Sequence, residues 1–323
     1  MADKANLEEN IVTKKKLKGT TFFQKLFTEH PLGVIGALIC LVLLLTGIFA
    51  DYLAPYGMNE VYVLDNLQKP NEKYFLGADP IGRDVFSRII YGARISMIVG
   101  LGAATLSTAI SLFLGMLSGY LGGTFDIIVQ RFVDAWIAIP GLIILMVMMD
   151  ILGPGIFSMV LVLGISGGIG GSRIIRGAVI AIKEEAYVEA AKAIGGRTST
   201  ILLRHILPNI LAPTIVLFSL GVPGAILSEA GLSFLGFGIP EPYPSWGGML
   251  SGEARWFMFV APHIIIWPGV AMSIVVYGAN MFGDALRDIL DPRLRGGAGR
   301  FGGVKLNNKV KEKIEKEARA EQV

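Results

Sequence analysis

Apolar and polar residues fall along this chain in long blocks rather than in short periods. Six apolar runs, at 32–50, 95–121, 132–149, 156–172, 210–227 and 259–282, approach the ~20 residues that a helix needs to cross a bilayer core. The third run is weakest at its start, where Asp134 interrupts it. In hydrocarbon a backbone must satisfy its own hydrogen bonds, so runs of this length predict helices. The pattern therefore predicts an all-α membrane protein with six transmembrane helices.

Composition agrees. Only 17% of the 323 residues are charged and 53% are hydrophobic, against about 25% charged in soluble domains. A polar tail carrying both signs precedes the first run, and no small-residue cleavage site follows it. That run reads as a retained signal anchor. The single cysteine, Cys40, lies inside it and reads as a packing residue. The histidines, His30, His205 and His263, are scattered and predict no metal site.

Charge sets the expected orientation. With both termini inside, the inner segments hold 23 of the 29 Lys and Arg, as the positive-inside rule requires. The expected division is a cytoplasmic tail at 1–31, the first span and an outer loop with an interfacial helix at 32–94, and a five-helix core at 95–290. A second cytoplasmic tail covers 291–323. Within the tails, 1–20 is polar, 296–304 is glycine-rich and 305–323 alternates Lys and Glu, predicting a short exposed helix.

The cytoplasmic loop at 184–208 is the most informative polar stretch. Residues 184–193 are strong helix formers, and Gly195-Gly196 ends that helix. Thr198 or Ser199 is expected to cap a second helix over 201–206, with Pro208 marking entry to the fifth span. The glycine supplies a turn that a side chain would resist. Ala190 and Ala191 are expected to leave backbone open to a neighbouring protein, with Glu189 as a hydrogen-bonding anchor. An ordinary interfacial helix is the plainer alternative.

Glu189-Ala190-Ala191-Lys192-Ala193-Ile194-Gly195 followed by Leu207-Pro208 resembles the EAA loop of ATP-binding-cassette (ABC) importer permeases, although His205 stands where that loop often has Ile. Further stretches narrow the likeness. They are Leu76-Gly77-Ala78-Asp79-Pro80-Ile81-Gly82-Arg83-Asp84, Glu229-Ala230-Gly231-Leu232-Ser233-Phe234, Pro244-Ser245-Trp246-Gly247 and Gly283-Asp284-Ala285-Leu286-Arg287-Asp288 with Asp291-Pro292. Together they resemble the C-type permease of dipeptide, oligopeptide and nickel importers, over residues 25–295. Ala78 departs from the Thr common there. The resemblance implies the type I importer fold and a heterodimer with a B-type permease. It also implies two ATPase subunits docked on the loop and an external solute-binding protein. On this reading the chain is no enzyme and binds no cofactor or nucleic acid. ATP and Mg belong to the partner ATPases, and the membrane is the prokaryotic cytoplasmic one.

Other residues carry weaker signals. Apolar residues at 85, 86, 89, 90 and 93 predict an interfacial helix presenting Ser87, Arg88 and Tyr91 on its polar face. Arg83, Asp84 and Arg88 read either as docking residues for the binding protein or as a structural elbow. Glu229 and Trp246 read as parts of an outer mouth, or as a solvated helix end and an interfacial anchor. Asp284, Arg287, Asp288 and Asp291 are spaced three and four apart, which predicts pairing along one helix face as a lock. Arg131 and Asp134 are expected to pair with each other. Gly164 with Gly168 and Gly167 with Gly171 predict close helix packing rather than a nucleotide loop. Prolines 140, 213, 223, 262 and 268 mark hinges in the pathway.

Two other function classes fit less well. An ion-coupled transporter would need intramembrane acids and often an internal repeat, but only Asp134 and Asp150 lie near spans and no repeat is evident. A membrane aspartyl enzyme would need Asp150 and Asp284 on one side, and the predicted topology separates them. Within the importer reading the solute stays open between peptides, nickel complexes and oligosaccharides.

Overall fold

The computed structural model describes residues 22–290, which form helices and turns with one isolated bridge between Ala78 and Asp84. Asp291, the 1–20 tail, the 296–304 stretch and the 305–323 helix lie outside the described residues.

A short helix, α1 (Phe22–Glu29), precedes the first span within the stretch read as a tail. Its Leu26 is buried in a small cluster with Ala285 and Ile289. The first span, α2 (Pro31–Ile48), starts on a proline at its first turn, where the missing N–H costs nothing. Its buried residues are Gly33, Gly36 and Gly47 alone, so most of its surface is apolar and outward-facing. The glycines allow a close crossing. A Cβ on Gly36 would stand 2.3 Å from the Gly278 carbonyl oxygen. At the far end of α2, Arg94 donates from Nε to the Gly47 carbonyl at 2.8 Å and pairs with Asp51 at 2.8 Å, holding the turn into α3 (Ala50–Leu53). That pairing holds the Asp51 carboxyl below its usual range.

The predicted interfacial helix is not a separate element. It is the first part of α4 (Val85–Leu121), a continuous 37-residue helix. Ser87, Arg88 and Tyr91, expected on a solvated face, are all buried. The period was read correctly, but neighbouring segments cover the polar face as well.

The third apolar run is broken. α5 (Gly123–Ala138) and α6 (Gly141–Leu152) meet at a 93° bend, and Pro140 sits at the junction as the N-cap of α6. Proline cannot continue the ladder of α5. Among the described residues five long helices have span length and hydropathy, and counting the bent pair as one broken span gives six.

α7 (Ile156–Lys183) runs eleven residues past the predicted end of its apolar run. It packs closely against α4 through its small residues. A Cβ on Gly164 would lie 2.6 Å from Leu106, and one on Gly168 would lie 2.6 Å from Ile110. Ser111 Oγ donates to the Gly168 carbonyl at 2.9 Å in the same seam. Close approach of this kind is the expected use of the small-residue spacing.

Next come α8 (Ala186–Ala193), α9 (Thr198–Ile201), one π-helical turn (Leu202–Ile206) and α10 (Leu207–Phe234). Thr198 and Ser199 do not cap a helix, because Arg197 holds the N-cap position without a side-chain bond. The chain then passes through the π turn into the fifth span without a break. Short helices α11 (Trp246–Met249) and α12 (Glu253–Phe257) lead to the last span, α13 (His263–Leu290). Three apolar clusters hold the bundle. One joins α4, α6, α7 and α10, and one joins α4, α10, α11 and α13. The third, containing Ile175, Val188, Ile201 and Ile206, seats the loop helices on the bundle.

Candidate functional site: the loop knob, the cleft and the far-end network

The loop is rigid for reasons visible in its backbone. Gly195 has φ +79°, a conformation that costs a residue with Cβ. Its N–H bonds the Lys192 carbonyl at 2.9 Å, and the Gly196 N–H bonds the Ala191 carbonyl at 3.0 Å. These two bonds make a Schellman end to α8. Gly196 is needed for a second reason, since a Cβ there would sit 2.6 Å from the Ala191 carbonyl oxygen. The knob is anchored beneath by Val188, Ala191, Ile201 and Ile206, all buried. Lys192 Nζ lies 5.2 Å from the Tyr120 ring centroid at the end of α4.

The outward face of the knob carries Glu189, Ala190, Lys192, Ala193 and Gly195, with Pro208 exposed and Leu207 half-buried where α10 begins. Ala191 corrects the expectation of an open backbone at both alanines. It is buried at 8% exposure and packs inward, so of these two alanines Ala190 faces out. Ile194 was not singled out by its sequence. It is 87% exposed at the tip of the knob.

Between α4, α7, α10 and the end of α13 lies an open cleft of about 1430 Å³. Its walls are mostly small or apolar residues, among them Ala104, Gly170, Gly177 and Gly224. Ser107, Ser166, Asn209 and Ser228 supply neutral polar groups. Glu185 and Arg287 are its only charged liners among the described residues. Pro213, one of the expected hinges, lines it too.

The lock predicted on the last span does not form among the described residues. Asp284, Arg287 and Asp288 make no ion pair with one another. Asp288 faces His30 at 3.7 Å, and Arg287 turns to the cleft. Helical spacing permits such pairs but does not choose them over partners on other elements. Arg131 and Asp134 do pair, at 3.4 Å, but Asp134 also bonds Arg173 of α7. Asp150 is exposed at the end of α6.

At the opposite end of the bundle, the residues read as a docking surface or mouth are mostly internal. Asp84, Arg88, Glu229 and Trp246 are all at most 4% exposed. Asp84 is the N-cap of α4, accepting from the Ser87 N–H at 2.8 Å and the Ser87 hydroxyl at 2.7 Å. Arg83 and Arg88 share two carboxylates. Arg83 bonds Asp79 at 2.5 Å and Glu241 at 2.7 Å, and Arg88 bonds Asp79 at 3.3 Å and Glu241 at 3.0 Å. The network ties the approach to α4 to the loop after α10. Trp246 is no interfacial anchor, since its indole N–H donates to the Ile89 carbonyl at 3.0 Å inside the fold. Glu229 is not a solvated helix end, because it is buried and accepts from Ser233 Oγ at 2.6 Å. Sequence reading found the arginines but missed Glu241, which lies 153 residues from Arg88. No local spacing signals a partner that distant.

Residues 111–296 match the family described as binding-protein-dependent transport system inner membrane component, and residues 23–70 match the N-terminal transmembrane domain of oligopeptide transport permease C. The chain belongs to this family of ABC importer permeases. Among individual inner membrane components, it is 37% identical over 275 residues to the glutathione transport system permease protein GsiD of Escherichia coli O6:K15:H31. That match covers 85% of this chain and 90% of the relative. The GsiD protein of Pectobacterium atrosepticum is likewise 37% identical, covering 84% and 91%. The fold is that of a solved importer permease. A chain of the MetNI methionine ABC transporter in inward-facing conformations superposes with a TM-score of 0.51. The identity is 16%, and the match covers 63% of this chain and 96% of that one. This inner membrane component is thus a multi-span helical permease subunit, of a family that works with ATPase and binding-protein partners.

Proposed function

We propose that this permease moves a peptide-sized solute into the cytoplasm with force supplied by separate ATPase subunits seated on the 184–208 loop. The observation that carries the reading is the knob itself. It is a glycine-capped helix presenting Glu189, Ala190 and Ile194 outward, and it is seated firmly by its buried side. A stiff protrusion transmits a push, whereas a solvated loop would absorb it. The distribution of Lys and Arg supports a cytoplasmic knob, with both termini on the same side of a prokaryotic cytoplasmic membrane. The partners are a B-type permease completing the pathway, two ATPases holding ATP and Mg, and an external binding protein. This subunit contributes no catalytic residue.

Peptide is the favoured solute. The relatives are named for glutathione, itself a peptide, and the cleft walls offer neutral polar groups with little fixed charge. Nickel complexes and oligosaccharides are the other outcomes an uptake assay would reveal. Ion coupling is disfavoured by Asp134, whose carboxylate is taken up by two arginines.

The test is affinity purification of the tagged chain in detergent, with co-purifying subunits identified and ATP hydrolysis measured. Wild type is expected to retain an ATPase and a second permease. Ile194→Glu adds charge at an exposed tip without disturbing the knob's packing, and Gly195→Asp disturbs its end. Both are expected to lose the ATPase or to uncouple hydrolysis from uptake. A chain that purifies alone and transports on an ion gradient would overturn the proposal.

A further inference from the structure

The bent span raises a question of attachment. α5 has 16 residues, of which only Val133 is buried. Apolar burial therefore does little to fix α5 to its own bundle. Charge does this instead, and the charged partners from outside α5 come from α7. Arg176 holds Asp126 through two bonds, Nε to Oδ1 at 2.6 Å and Nη2 to Oδ2 at 2.5 Å. Arg173, one turn earlier, bonds Asp134 near the other end of α5, and Arg131 supports that carboxylate at 3.4 Å. Ser118 of α4 donates to Asp126 and in turn accepts from Gln130 at 3.1 Å. The two aspartates are eight residues apart, about 12 Å along a helix. Two points at that separation fix the direction of α5 as well as its distance.

The position of the donors matters. Both arginines lie in the C-terminal half of α7, and α7 ends at Lys183, three residues before the knob helix begins. Beyond α5 the chain turns 93° at Pro140, so no continuous helical hydrogen-bond ladder ties α5 to α6. Bidentate Arg–carboxylate pairs hold angle as well as contact. The Arg176–Asp126 pair is bidentate and the more shielded of the two, so separating it leaves poorly solvated charges.

We infer that Arg173 and Arg176 are positioning residues for transport, clamping α5 to α7 so that a displacement of the knob tilts α5 as one unit with α7. This rests on the reading that ATPases act through the knob. The clamp links the 184–208 loop to the span that is broken at Pro140, so loop motion becomes a change in the shape of the bundle. Packing alone would let α7 slide while α5 stayed with its neighbours.

The experiment uses the complex co-purified with its partner subunits and reconstituted in lipid nanodiscs, in a Cys40→Ala background. Spin labels are placed at Ile128→Cys on α5, which is 64% exposed, or at Glu184→Cys beyond α7. Each is paired with a reference label at Tyr52→Cys, which is 87% exposed. Distances are read without nucleotide and with ATP trapped. In wild type both labels are expected to shift. In Arg173→Gln/Arg176→Gln the Glu184 site keeps its shift and the Ile128 site loses it, with uptake per ATP falling. Arg173→Lys/Arg176→Lys keeps the charges but loses the bidentate fork, so it restores the Ile128 shift and the uptake per ATP only in part. If the Ile128 site follows nucleotide in the Gln variant as it does in wild type, the clamp is refuted while the coupling reading stands. If neither site shifts in wild type, the coupling reading fails and the clamp with it. Should the double variant not assemble, Asp134→Asn serves in its place, with the same expected loss at Ile128 and the same refuting result.

Discussion

The end of the knob helix offers a graded test of how the loop is built. At Gly195 an added Cβ meets no atom within 4 Å, so Gly195→Ala changes backbone preference alone. Holding a residue with Cβ at φ +79° costs roughly 1–2 kcal/mol. Asn tolerates that region better, so Gly195→Asn is expected to cost less. Gly196→Ala differs in kind. Its Cβ would stand 2.6 Å from the Ala191 carbonyl oxygen, which is backbone and cannot swing aside. The turn must open, breaking the 3.0 Å bond from the Gly196 N–H and straining the 2.9 Å bond from the Gly195 N–H. At roughly 0.5–1.5 kcal/mol net per hydrogen bond, plus strain, the loss is about 2–3 kcal/mol. Gly196→Ala should thus be worse than Gly195→Ala, although Gly195 is the motif glycine. The assay is amide hydrogen exchange across 186–201 in detergent. Protection should fall in the order wild type, Gly195→Asn, Gly195→Ala, Gly196→Ala, with a loss on the order of tenfold or more for the last. Wild-type protection in Gly196→Ala would refute the reasoning, because it would mean the turn does not depend on that close approach.

Three further outcomes follow from packing and charge. Arg88→Ala removes one of the two arginines that hold Asp79 and Glu241 but leaves Arg83 on Asp79 at 2.5 Å, so it should destabilise the detergent-solubilised protein by about 1.5–3 kcal/mol in thermal unfolding. Gly168→Leu forces side-chain atoms into the α4–α7 seam where a Cβ already meets Ile110 at 2.6 Å, so the melting temperature should fall by the equivalent of about 1–3 kcal/mol, while Gly170→Ala, which meets nothing within 4 Å, should be neutral. In the segment before α4, Lys73 and then Tyr74 hold the Asp65 carboxyl below its usual range. Since the folded value is depressed, the stabilisation is present above the ordinary Asp value of about 3.9 and is lost as pH falls through the lower folded value. Exchange in residues 56–74 should therefore rise on acidification below about pH 4. Lys73→Gln should move that loss to higher pH, and an unchanged profile in the variant would remove Lys73 as the cause.

How much of this was legible beforehand differs by element. The lengths of the apolar runs marked the five long helices, because lipid forces each span to satisfy its own backbone. The Gly195 turn was readable because a left-handed residue has few alternatives. Pro140 was flagged as a hinge, yet its 93° bend was not foreseen, since proline marks a break without giving its angle. The interfacial helix was misjudged because a polar face has the same period whether water or protein covers it. Arg88, Glu229 and Trp246 have the local sequence of outer-surface residues, yet the fold buries all three. Asp284, Arg287 and Asp288 have the spacing of a lock, but Asp288 faces His30 and Arg287 lines the cleft.

The sequence by itself therefore determined what local chemistry can dictate: which stretches cross lipid, where the helices must turn, and which family the loop resembles. It also carried the Lys and Arg bias from which an orientation is argued. Tertiary structure alone decided the partners of charges. Glu241 meets Arg88 across 153 residues, and Arg176 reaches Asp126 across 50. Hydrophobic periodicity encodes a direction relative to lipid or core, whereas an ion pair depends on the packing of two whole helices. That packing is set by glycine contacts such as Gly164 on Leu106, whose consequences appear only when the helices meet.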